Sequence, residues 1–214
     1  MEYFLGTQQN VSSLDKNISL TEKIFGLNWS EYFPLELGNP GEFIQIADLK
    51  TSSDFFKKNY ESIYQKNIWN SPFLSSGSSI TKEKYYETAG DFFAFMDGNK
   101  VTGIFVGTLV DWSTYYFRNC SILPEYQGGG RYQKLLKHLL MILKKHSVER
   151  VEGDIAPSNL GHIHVLNKLG FNITGLNLSE RWGSLVHFTK YLNPTHESVF
   201  LDQFCEGVRP QIKV

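Results

Sequence analysis

The clearest pattern in the chain lies past its midpoint. From Arg131 to His146, apolar residues recur as Leu135, Leu136, Leu139, Leu140 and Leu143, the spacing of one helical stripe. Lys134, Lys137, Lys144 and Lys145 fall on the other faces and read as a solvated surface, with cations near the helix C-terminus. Upstream, β-branched and apolar runs predict strands over Phe43–Leu49, Asp91–Met96, Lys100–Val110 and Ser113–Leu123. Asp97-Gly98-Asn99 reads as a hairpin turn, and Pro124 ends the last of these strands. Thr51-Ser52-Ser53-Asp54 offers caps for a helix carrying Phe55, Tyr60, Ile63, Tyr64 and Ile68 near helical spacing. A Ser/Gly loop at 71–80 separates it from a shorter helix over Lys82–Ala89. Downstream come a strand over Val148–Ile155, a helix capped by Ser158 and stopped by Gly170, and strands Phe171–Leu178 and Leu185–Leu192 joined around Gly183. Helices and strands alternating in this way predict an α/β (α+β layered) fold built on a mixed sheet.

Residues 1–40 look different. They are rich in Asn, Ser and Gly and run into the turn Gly38-Asn39-Pro40-Gly41. We read them as an N-terminal extension with one short helix near Leu20–Leu27, followed by a single domain over 41–193 and a C-terminal tail over 194–214.

Composition narrows the function classes. A net charge of −1 supplies no global field for nucleic acid or an anionic membrane. The longest continuous apolar runs, such as Leu139 to Leu143, are too short to span a bilayer, and the first residues lack the basic-then-apolar order of a secretory signal. Cys120 and Cys205 lie far apart and form neither a disulfide framework nor a metal-binding spacing, so a cytoplasmic location and no metal are expected. Aromatic residues make up 14% of the chain, which fits either an aromatic core or a pocket walled by rings.

The chemistry gathers where a strand meets Pro124, then Gln127-Gly128-Gly129-Gly130-Arg131, then the leucine-striped helix. Three glycines let the backbone come close to a ligand and turn its N–H groups one way, and the helix adds the positive end of its dipole. A pyrophosphate suits such a cradle. The loop is neither a Walker loop nor the dinucleotide fingerprint, since the Gly-Lys-Ser/Thr and G-x-G-x-x-G spacings are both absent.

The segment ILPEYQGGGRYQKLL resembles the acetyl-CoA signature of the GNAT superfamily of N-acyltransferases, and PSNLGHIHVLNKLGF is similar to that superfamily's second motif, here Asn159, Gly170 and Phe171. The resemblance covers roughly 43–192. It implies a mixed, mostly antiparallel sheet with central strands splayed apart and acetyl-CoA or a longer acyl-CoA in the gap. The backbone of Ser121, Ile122 and Leu123 would hold the pantetheine arm, with the Ile122 N–H facing the developing oxyanion. The loop Gln127, Gly128, Gly129, Gly130 and Arg131, with Tyr132 and Asn159, would hold the rest of the cofactor.

Two positions depart from the superfamily pattern. Tyr132 stands where the signature ends in a small residue. Leu166 stands where a Tyr often protonates the departing thiolate. His162, four residues before Leu166 on the same helical face, is the candidate acid. Tyr116 occupies the place of a strand Glu that serves some relatives as base, and Glu180 and His187 are further titratable candidates on the final hairpin. The acceptor implied is a primary amine of a small molecule or peptide, attacked directly, with an oligomer left open. Two further readings stand beside this one: an inactive acyl-CoA-binding module, and a fatty-acyl transferase acting on an amine side chain of a ribosomal peptide precursor.

Overall fold

The computed structural model describes residues 18–64, 80–179 and 182–204. Alternation of side chains is visible first in the strands β3 (Gly90–Asp97) and β4 (Lys100–Leu109). On them Phe93, Phe95 and Phe105 go to one face, while Phe92, Ala94, Met96, Ile104 and Val106 go to the other. Both faces are covered, so the run GDFFAFMD is almost wholly buried rather than half polar. The turn between these strands is the expected one, with Gly98 at φ 55°.

Eight strands form one sheet in the order β1-β2-β3-β4-β5-β6-β8-β7. The others are β1 (Leu35–Glu36), β2 (Glu42–Ala47), β5 (Thr114–Ile122), β6 (Arg150–Ile155), β7 (Asn172–Ser179) and β8 (Gly183–Tyr191). Every neighbouring pair is antiparallel except β5 and β6. Those two run parallel and touch only over Thr114–Tyr116 against Arg150–Glu152, then separate. This is the expected mixed sheet with splayed central strands.

Helix α4 (Arg131–Lys145) covers one face with Leu135, Leu136, Leu139, Ile142 and Leu143, all fully buried. Ile142 therefore joins the stripe read from the sequence, while Leu140 stays at its half-buried edge. The opposite face receives α2 (Leu49–Tyr64) through Phe55. Helices α3 (Ile80–Ala89) and α5 (Leu160–Lys168) complete the layers. The cap of α5 is Asn159, whose Oδ1 accepts from His162 N–H at 3.2 Å, one residue later than the expected Ser158. Gly170, at φ 74°, ends it as expected.

The N-terminal stretch, set apart by its composition, carries α1 (Leu20–Phe25) and sends Leu27, Trp29 and Phe33 into the main core. Its last strand, β1, pairs with β2. At the other end α6 (Pro194–Phe204) lies against β8, with Tyr191 and Phe200 ring centroids 5.4 Å apart. No helix among the described residues is long and apolar enough to cross a membrane.

Candidate active site

The gap between β5 and β6 opens into two connected cavities. The first, about 500 Å³, runs along the free edge of β5, past the glycine loop and the start of α4 to Asn159 and His162. The second, about 390 Å³, lies towards α2 and is walled by Tyr64, Tyr116, Phe117 and Trp182, with Asp154 and Arg118 as its charged groups among the described residues. Tyr64, Cys120, Tyr132, Asn159 and His162 border both, so the cavities meet at these side chains.

Each loop glycine has its own physical reason. Gly128 and Gly130 adopt φ 80° and 74°, the left-handed region that costs other residues energy. Gly129 instead leaves room for the Arg131 guanidinium, which a Cβ at 129 would strike. That guanidinium donates to both carboxylate oxygens of Glu42 on β2 and to the Tyr126 carbonyl, so it braces the loop instead of reaching into the groove. The Arg131 pairing also holds the Glu42 carboxyl below its ordinary range. Gly130 caps α4 without any side-chain hydrogen bond, leaving the first-turn N–H groups for a ligand. An open groove, uncapped amides and a helix N-terminus fit a phosphate-bearing cofactor.

Along β5 the three expected backbone contacts divide. The Leu123 N–H is bound to the Thr102 carbonyl on β4, and its side chain lies in the core beneath α2. Alternation then turns the Ser121 peptide the same way and the Ile122 peptide into the gap. The Ile122 carbonyl accepts from Gln127 Nε2 at 2.8 Å, which fixes the Gln127 side chain across the groove. Of the three, Ile122 alone directs its N–H at the space expected for the thioester. The Leu123 N–H does not face the gap as expected, because it is paired to β4, while Ser121 borders the first cavity. The Ser121 hydroxyl bonds to Tyr64 and Asn119 and ties β5 to α2.

At the junction, the Tyr132 phenol is bonded to His162 Nε2 and the rings meet edge to face at 4.7 Å. Burial pushes the Tyr132 phenol well up and the His162 imidazole down to about 4. Both are therefore uncharged near neutrality. Tyr132 does not crowd the glycine loop; it turns inward and joins α4 to α5. Leu166 is buried in the main core, and His164 is exposed. Burial also raises the Cys120 thiol, which removes it as a thiolate nucleophile.

A second polar cluster lies at the apex of the splay. Tyr116 donates its hydroxyl to Asp154 Oδ2 at 2.8 Å, and burial followed by the Asp154 charge raises the phenol further. A phenol so placed keeps its proton and cannot serve as the base expected at this position. Asp154 Oδ1 accepts from Asn177 at 2.7 Å and faces His187 Nδ1 at 2.9 Å. His187 Nε2 stands 3.6 Å from Glu152, whose other oxygen is 3.2 Å from Arg150. Glu152, ahead of Asp154, raises the His187 pKa against the effect of burial. Glu180 lies outside the described residues. Among the described residues no group of three or more His, Cys, Asp or Glu side chains gathers as a metal site.

Sequence reasoning missed Asp154, Glu152, Arg118 and Tyr64. The Glu152-x-Asp154 alternation was visible, but it reads as the solvent face of a strand. Nothing in the local sequence marks Arg118 as a bulge.

The sequence profile described as the acetyltransferase (GNAT) family matches residues 56–171. Among curated proteins no significant sequence match was found. Several solved structures share the fold. A putative acetyltransferase, yncA, from Salmonella typhimurium, solved with its cofactor acetyl-CoA, is similar with TM-score 0.55 at 19% identity, covering 72% of this chain and 95% of that one. The ribosomal-protein-S18-alanine N-acetyltransferase from Escherichia coli gives 0.52 at 17%, covering 70% and 94%. A variant of spermidine N-acetyltransferase from Vibrio cholerae gives 0.52 at 16%, covering 72% and 95%.

Proposed function

The chain belongs to the GNAT family of acetyltransferases, and from that premise we propose that it transfers an acetyl or longer acyl group from acyl-CoA to a primary amine by direct attack. The observation that carries this reading is the meeting of the two cavities in the β5–β6 gap, one suited to a phosphate-bearing donor and one holding a carboxylate for an incoming ammonium group. The similar structures include one holding acetyl-CoA, which supports that donor.

The chemistry follows from the residues. An ammonium group entering the second cavity is attracted to Asp154, whose carboxylate is already aligned by Tyr116 and Asn177. Asp154 and His187 accept the proton that the amine must lose before it attacks. The free amine adds to the thioester carbon, and the Ile122 N–H meets the charge that grows on the oxygen. The carbon–sulfur bond then breaks. The sulfur leaves as a thiolate beside the uncharged Tyr132 and His162, and takes up the second proton that the nitrogen of the new amide gives off. Tyr116 orients Asp154 and does not act as the base.

Thiol release with a panel of primary amines tests the reading. Wild-type protein is expected to release CoA with at least one amine, and Asp154→Asn to lower kcat/KM about 100-fold with acyl-CoA affinity preserved. Tight acyl-CoA binding without release on any amine would instead identify a binding module. Acceptors from small amines to side-chain amines of peptides belong in the panel, and mass spectrometry of soaked acyl-CoA would give the donor chain length.

A further inference from the structure

Arg118 is left without a role by the scheme above. It is the extra residue of a bulge in β5: Val106 faces Asn119 and Gly107 faces Phe117, so Arg118 has no opposite number on β4. A bulge re-aims a side chain, and here it brings Arg118 into the wall of the acceptor cavity. Its guanidinium lies 5.6 Å from the Tyr86 ring centroid on α3. The other arginines among the described residues are committed, Arg131 to Glu42 and Arg150 to Glu152 and Asp111. Arg118 has no ion-pair or hydrogen-bond partner among the described residues. It is near enough to the Tyr116 hydroxyl, which is bonded to Asp154, for its charge to act there.

Among the described residues the cavity therefore presents one carboxylate and one guanidinium without an ion-pair partner, with the Tyr64 and Trp182 rings, 5.6 Å apart, beside them. A carboxylate selects an ammonium group; a guanidinium offers a two-pronged donor that matches a carboxylate. We infer that the acceptor is an amine that also carries a carboxylate, an amino acid of apolar or aromatic side chain, with its ammonium group at Asp154 and its carboxylate at Arg118. This rests on the acyl-transfer reading and narrows it to a substrate class.

The test compares phenylalanine, phenylalaninamide and phenethylamine as acceptors in the thiol-release assay. They share one aromatic body and differ in the carboxylate. Wild-type kcat/KM is expected to favour phenylalanine over the other two by about 10- to 100-fold, the range for losing a hydrogen bond to a charged group. Arg118→Ala should bring that ratio to within about threefold of unity, and Arg118→Lys should retain part of it. Acyl-CoA affinity of each variant, measured by calorimetry, reports that the protein is folded. Equal use of the three acceptors by the wild type, or a ratio unchanged in Arg118→Ala, overturns the inference while leaving acyl transfer in place. Absence of release with every amine overturns both.

Discussion

Gly107 and Gly129 lack a side chain for the same reason: another residue already fills the space. At 107 the occupant is the Tyr115 phenol, which passes over the β4 backbone. The expected outcome of Gly107→Ala is a loss of about 1–3 kcal/mol, since a buried ring would have to move, measured by urea denaturation. An unchanged midpoint would mean that Tyr115 can swing aside freely. Gly128 and Gly130 were legible as a permissive turn, because both need positive φ. Gly129 was not legible in this way, because its reason is a guanidinium travelling to Glu42, 89 residues earlier in the chain. Tyr132 shows the same limit. At its position in the signature a phenol either crowds the phosphates or points aside, and packing decides for the second by turning the ring towards α5.

At the level of elements, β8 sets the polar cluster at the splay by inserting between β6 and β7. That placement sets His187 opposite Asp154 and within reach of Glu152. The consequence is a pH dependence with a definite sign. Glu152 stabilises protonated His187, so the imidazole loses its proton above its ordinary pKa near 6.5. In the proposed scheme His187 accepts the amine proton only when neutral, so kcat/KM should rise with pH through a value above ~6.5. In Glu152→Gln the largest source of that stabilisation is gone, so the rising limb should move to lower pH. A pH–rate profile of the two proteins checks this, and a limb that stays in place would remove His187 from the proton path.

For the whole molecule the telling group is Asp91, buried where the N-terminal stretch meets the sheet. Thr21 Oγ1 and Trp29 Nε1 both donate to its carboxylate, the latter at 2.8 Å. Burial outweighs these bonds and raises its pKa to about 6. The folded chain thus holds this proton more tightly than the unfolded chain, whose Asp titrates near ~3.9. The contribution is present in full below the unfolded value and is lost as pH rises through about 6. Comparing wild type with Asp91→Asn by urea denaturation at several pH values should show the wild type losing on the order of 2–3 kcal/mol relative to the variant across that window. Parallel stability curves would mean that Asp91 keeps an ordinary pKa. The same contacts explain why residues with an extension-like composition take part in the core: Trp29 is 3% exposed and lies against Phe93.

Spacing along the chain determined the strands, the leucine-striped helix, the hairpin and the glycine turn, because each depends on residues within a few positions of one another. The resemblance carried by the ordered pair of motifs also implied the splayed central strands. Tertiary structure alone decided what lines the second cavity. Asp154 meets Tyr116 and His187 only because β6 has parallel and antiparallel neighbours drawn from distant segments, Asn177 reaches it from β7 beyond β8, and Arg118 enters the cavity through a bulge. Charge behaviour was likewise beyond the sequence. Whether His162, Asp91 or Tyr132 is ionised depends on how much water burial removes from each, a property of the packed molecule and not of the residue.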